Sequence, residues 1–90
     1  MPSDDLRNSW ERTRAHLARA WVLLPAGDDD GVAQYQEFLD HNELGLAMEV
    51  LGEVGEGRVA SGQFWVALAD AARNMGLERK AEEYDLRAHP

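Results

Sequence analysis

Apolar residues recur along the chain at steps of three and four. Leu6, Trp10, Thr13, Leu17, Ala20, Trp21 and Leu24 fall on one face of a helix expected over about residues 4–24. Ser3 suits its N-cap, and Asp4 and Asp5 lie in the first turn, where the helix dipole favours negative charge. Pro25 ends it, because proline has no N–H and crowds the preceding residue out of helical geometry. After the turn PAGDDDG, a short second helix is marked by Val32, Tyr35, Phe38 and Leu39. Leu44, Ala47, Val50, Leu51 and Val54 mark a third, with Asn42 expected as its N-cap and Glu43 just inside it. Gly52, Gly55 and Gly57 are expected to fray its end into the loop GEGRVASG.

Ser61 suits the cap of a fourth helix carrying Phe64, Trp65, Leu68, Ala71, Ala72 and Met75, and Gly76 stands where a left-handed C-terminal cap belongs. A last helix, over about residues 78–87, contributes Ala81 and Tyr84, with Leu86 a further candidate. No alternating β-branched run and no flanked hairpin turn argues for a strand. The pattern predicts an all-α fold: one helical domain over residues 1–90, with four to five helices packed as antiparallel hairpins. Helices three and four together span roughly 34 residues, the length of one tetratricopeptide-like unit, and one unit cannot stack into an array.

Ninety residues leave no room for a second core. Apolar residues at 44% and charged residues at 29% are ordinary globular values and argue against disorder. There is no Cys, so neither a disulfide framework nor a thiolate metal site is available. Acids precede any apolar run at the N-terminus, the wrong order for a signal peptide, and no apolar run approaches the ~18 residues of a membrane span. A cytoplasmic protein is the expectation.

Charge is distributed unevenly. The net value is −8. Residues 1–25 hold four Arg against three acids, and residues 58–90 hold five basic residues against five acids. Residues 26–57 hold nine acids and no Lys or Arg, so the whole excess sits in the middle third. Such a field repels nucleic acid and anionic membrane and attracts basic proteins.

The turn after Pro25 approaches a calcium loop: counted from Ala26, Asp28 and Asp30 fall at positions three and five, Gly31 at six and Glu37 at twelve. Position one is Ala26, which cannot ligate, so the turn reads as a helix cap supplied by Asp28, Asp29 or Asp30. His41 beside Asp40 and Glu43 lacks the nucleophile or oriented partner that acid–base catalysis needs. No metal-ligand spacing, phosphate loop or dinucleotide fingerprint is present. The expectation is no enzyme, no cofactor and no metal.

On the third helix Glu49, Glu53 and Glu56 share one narrow stripe opposite Ala47, Val50, Leu51 and Val54. The stripe faces either solvent or a partner. A surface needing only solubility mixes its signs, and this stretch does not. Adjacent Phe64 and Trp65 are not expected to share the centre of one helix face, which leaves Trp65 as a peripheral aromatic anchor.

The order YxxFLxHNELGLAxxxL followed by FWxxLAxAAxxMGL, over residues 35–77, resembles small bacterial immunity proteins of the MafI-like type. The resemblance implies a protein encoded beside a polymorphic toxin, often a nuclease, that neutralises it by binding. Immunity proteins diverge where they touch the toxin, so the resemblance transfers no binding residue. The acidic candidates for the contact with a basic partner are Asp28, Asp29, Asp30, Glu43, Glu49, Glu53 and Glu56, with Trp65 as anchor. The alternative is a tetratricopeptide-like adaptor or accessory subunit that takes a peptide or helix in a groove.

Overall fold

The computed structural model describes residues 4–27 and 31–89, residues 4–6 by backbone alone. The cap at Ser3, the face assigned to Leu6 and the turn acids Asp28, Asp29 and Asp30 lie outside what it describes. Five helices follow one another: α1 (Asp4–Val22), α2 (Gly31–Asp40), α3 (Leu44–Gly57), α4 (Gly62–Asn74) and α5 (Glu78–Ala88). The fold is all-α, without a strand among the described residues.

α4 is the hub. It packs chiefly on α5 and α1, while α3 packs chiefly on α2 and more lightly on α4 and α1. The core is the buried set Leu17, Ala20, Tyr35, Met48, Leu51, Phe64, Leu68 and their neighbours, drawn from every helix. Because α4 is covered on several sides, its buried arc is wide. Phe64 and Trp65 are therefore both interior, against the expectation that one would be peripheral.

The sequence periodicity locates α1 well, but its C-terminal end differs. The helix stops at Val22 and hands Leu23 and Leu24 to a turn whose amides donate to the Ala20 and Trp21 carbonyls. Trp10, expected in the core, is 40% exposed. α4 ends at Asn74, level with Ser9 and Thr13. There Asn74 Nδ2 donates to the Ser9 carbonyl at 2.8 Å and to the hydroxyl of buried Thr13 at 2.7 Å, clamping α1 to α4.

Three helices end in the same way. Glu43 N–H reaches back to the Phe38 carbonyl and Asn42 N–H to Leu39; Ala60 to Gly55 and Val59 to Glu56; Leu77 to Ala72 and Gly76 to Arg73. Each pair is a Schellman motif, which turns the chain through one left-handed residue. Those residues are Asn42 (φ 55°), Val59 (φ 53°) and Gly76 (φ 76°). Gly76 fulfils its expectation. Asn42 does not cap α3: Glu43 holds that position with no side-chain bond, and Asn42 terminates α2 instead. Its Oδ1 accepts from Arg14 of α1 at 3.1 Å, and the same guanidinium donates to the Leu39 carbonyl at 2.6 Å. Ser61 does cap α4, its hydroxyl accepting from Phe64 N–H at 3.4 Å.

The glycines of α3 do not fray it. The helix runs through Gly52 and Gly55 to Gly57, with the first two buried. A Cβ at Gly55 would sit 2.3 Å from the Phe64 ring, so the missing side chain is what lets α4 lie this close to α3.

Candidate functional site

The acidic stripe of α3 comes to lie opposite α5. Glu49, Glu53 and Glu56 are all exposed, as the wheel predicts, while Ala47, Val50, Leu51 and Val54 are buried. Between the two helices runs an open cleft of about 230 Å3, lined by the three glutamates and Gly52 on one side and by Lys80, Glu83, Tyr84 and Arg87 on the other, with Trp65 of α4 between them. α5 sets its four lining residues at helical steps of three and four, so they form one wall.

The sequence shows no basic residue within the acidic third, but folding brings two to the cleft. Arg87 Nη2 pairs with Glu56 at 2.6 Å, and Lys80 Nζ lies 4.0 Å from Glu49 and 3.7 Å from Glu83. Glu53 makes no ion pair among the described residues. Four carboxylates thus face two cations. The pairs are solvent-exposed, and each is worth at most about 1 kcal/mol. They trim the negative field of the cleft without cancelling it.

Trp65 is the floor. It is 5% exposed, so it does not project as an anchor. Its indole meets the Phe64 ring edge-on at 4.9 Å, stacks on Tyr84 at 5.8 Å and lies beneath the Arg87 guanidinium, 5.3 Å from the ring centroid. Tyr84 beside it reports the local electrostatics: burial, then the carboxylates of Glu49, Glu83 and Glu53, push its phenol up to about 12, against the opposing pull of Arg87.

The remaining candidates are elsewhere. Glu43 stands at the N-terminal end of α3, outside the cleft. His41 Nδ1 lies 2.9 Å from the Glu37 carbonyl, a bond that raises the affinity of the ring for its proton, with Glu43, Glu37 and Asp40 adding to the effect. That bond occupies one ring nitrogen with backbone, and His41 is fully exposed at the α2–α3 joint. Among the described residues, no group of three or more His, Asp or Glu is placed to hold a metal ion. Nor is any described helix long and apolar enough to cross a membrane.

The role of α5 is what sequence reasoning missed. Lys80, Glu83 and Arg87 form a cation–acid–cation row at helical spacing, a signal present in the sequence. Only the packing of α5 beside α3 on α4 makes that row the second wall of a cleft. The chain matches no protein-family model, no curated protein and no solved structure.

Proposed function

We propose that the protein is a non-enzymatic binder of the immunity type, which neutralises a basic partner, a toxin, by meeting it with the acidic α3–α5 face. The observation that carries this reading is the cleft itself: four surface carboxylates converge on it, one of them without an ionic partner among the described residues. A basic polypeptide is drawn to such a field and its association is accelerated, with a strong dependence on salt. The toxin as partner class rests on the resemblance over residues 35–77, and the basic character rests on the charge.

A second reading, an adaptor that takes a peptide or helix, is favoured by one observation. The polar cleft adjoins an apolar one lined by Gly55, Val59, Ala60 and Leu86. The two readings separate by salt and by partner. Under the first, the protein encoded next to this one arrests growth when expressed alone, and co-expression restores it. The complex dissociates as salt is raised, and the double variant Glu49→Lys, Glu53→Lys weakens it at least about tenfold at low salt while the circular dichroism stays helical. Unchanged affinity of that variant at low salt removes this surface from consideration. A harmless neighbour and no complex leave the adaptor.

A further inference from the structure

The apolar cleft holds about 420 Å3 and is continuous with the acidic one, since Glu56, Trp65 and Arg87 line both. That volume falls within the range of about 300–1,000 Å3 typical of ligand pockets. Two large apolar side chains stand exposed at its rim, Val59 at 85% from the α3 cap and Leu86 at 73% from the last turn of α5. Single exposed apolar residues need no explanation, but two converging on one apolar cleft do. Val59 also occupies a left-handed position that Gly or Asn would fill with less strain. Neither stability nor solubility accounts for valine there.

The charge beside the cleft defines what fits it. A side chain entering between Val59 and Leu86 has Glu56 at its flank, with Glu53, Glu49 and Glu83 one step further along. In the free protein the Arg87 guanidinium fills the junction, paired with Glu56 at 2.6 Å and lying over the Trp65 ring. A carboxylate beside an aromatic face is the arrangement a guanidinium recognises, by charge and by cation–π contact.

From this we infer that the two clefts form one docking groove for a segment of a partner protein that carries an apolar side chain beside a basic one, and that Arg87 holds the basic side chain's place until the partner displaces it. This rests on the binding function proposed above and deepens it: the apolar contact supplies affinity, and the acidic wall supplies orientation. Arg87 is then a competitor built into the groove.

The test is an NMR titration of the full chain with a synthetic helical peptide bearing Arg and Leu one turn apart. Two control peptides replace the Arg by Gln or the Leu by Ser. The expected shifts cluster at the amides of Gly55, Val59 and Leu86 and at the Trp65 indole N–H, and either replacement weakens binding about tenfold. Leu86→Ser, at a position too exposed to unfold the protein, weakens binding to the same degree. Arg87→Gln tightens binding roughly two- to fivefold, as expected for removing an exposed ionic competitor. Arg12→Gln on α1, the same charge change away from the groove, gives less.

Peptide shifts spread along Glu49 and Glu53, indifferent to the Leu→Ser replacement and to Leu86→Ser, overturn the groove and leave the acidic-face reading standing. Absence of binding by the Arg–Leu peptide at low salt also overturns it, while rescue from the neighbouring protein still decides the wider function independently. Concentration-dependent shifts at Val59 and Leu86 without any peptide overturn the proposed occupant, making a second copy of the chain the ligand.

Discussion

A β-branched residue at φ 53° is costly wherever it occurs, because its Cβ crowds the following carbonyl by about 1–2 kcal/mol. Val59→Gly relieves that strain and returns part of it as unfolded-chain entropy. The net expectation is a gain of about 0.5–1 kcal/mol, seen as a higher melting temperature. If docking is the reason for valine there, the same variant binds the Arg–Leu peptide more weakly. Gly55 has the opposite character. Its Cβ would fall 2.3 Å from the fully buried Phe64 ring, so one of the two helices must shift, and Gly55→Ala loses about 1–3 kcal/mol despite the better helix propensity of alanine. Gly57→Ala meets nothing within 4 Å and shows no such loss, which makes it the control in the same denaturant series. Residues of this kind divide by whether their reason is local. Ser61 and Gly76 cap their helices through bonds within a few positions, so the sequence alone reveals them. Gly55 reads as a helix breaker until Phe64 is brought against it from α4. Asn42 reads equally well as the start of α3 or the end of α2, and Arg14 of α1 helps to hold it in the latter role.

Helices as units were legible from the three-four spacing of apolar residues, and their pairing was less so. Short loops suggest that neighbours in sequence pack together, and α2 with α3 and α4 with α5 do so. The α3–α4 pairing needed for a tetratricopeptide-like unit is the lighter contact, because α1 returns from the start of the chain to occupy a large part of α4. Polar chemistry fixes that return. Asn74 gives both its amide hydrogens to α1, one to a hydroxyl with almost no access to water. Removing the amide leaves buried Thr13 without this partner, and Asn74→Ala is expected to cost about 1–3 kcal/mol in chemical denaturation. A loss near zero means that water or a shifted Thr13 rotamer satisfies the hydroxyl instead. On the outer side of α4, Arg73 bridges Asp70 and Asp85, and Arg19 of α1 reaches Asp70 at 2.8 Å. These exposed pairs orient α1, α4 and α5 more than they stabilise them. The acidic wall of the candidate site was legible because α3 carries it entirely within one helix face. The opposing wall was hidden, since it depends on which helix lies beside α3 in space.

At the scale of the molecule, both tyrosines of the chain are interior, and burial pushes each phenol up to about 12. Their folded values lie above the 10.0 of an unfolded tyrosine. Their contribution to stability is therefore fully present below about pH 10 and is lost as pH rises from there towards about 12. Ultraviolet titration should show no phenolate in the folded protein at pH 10, then ionisation and loss of helix together above it. Gradual ionisation near pH 10 with the helices intact overturns this. Charge too changes meaning at this scale. The middle third is uniformly acidic as a sequence, yet Lys80 and Arg87 fold onto it, so the field of the protein is less one-sided than the chain suggests. The clamp between Thr13 and Asn74 joins positions 61 residues apart. On a ribosome adding about 5–20 residues per second, the first helix waits roughly 3–12 s for the surface that will cover it. Through that interval the part of its apolar stripe that α4 will cover is open to whatever else the cell offers, which gives chaperones their opportunity on the first helix.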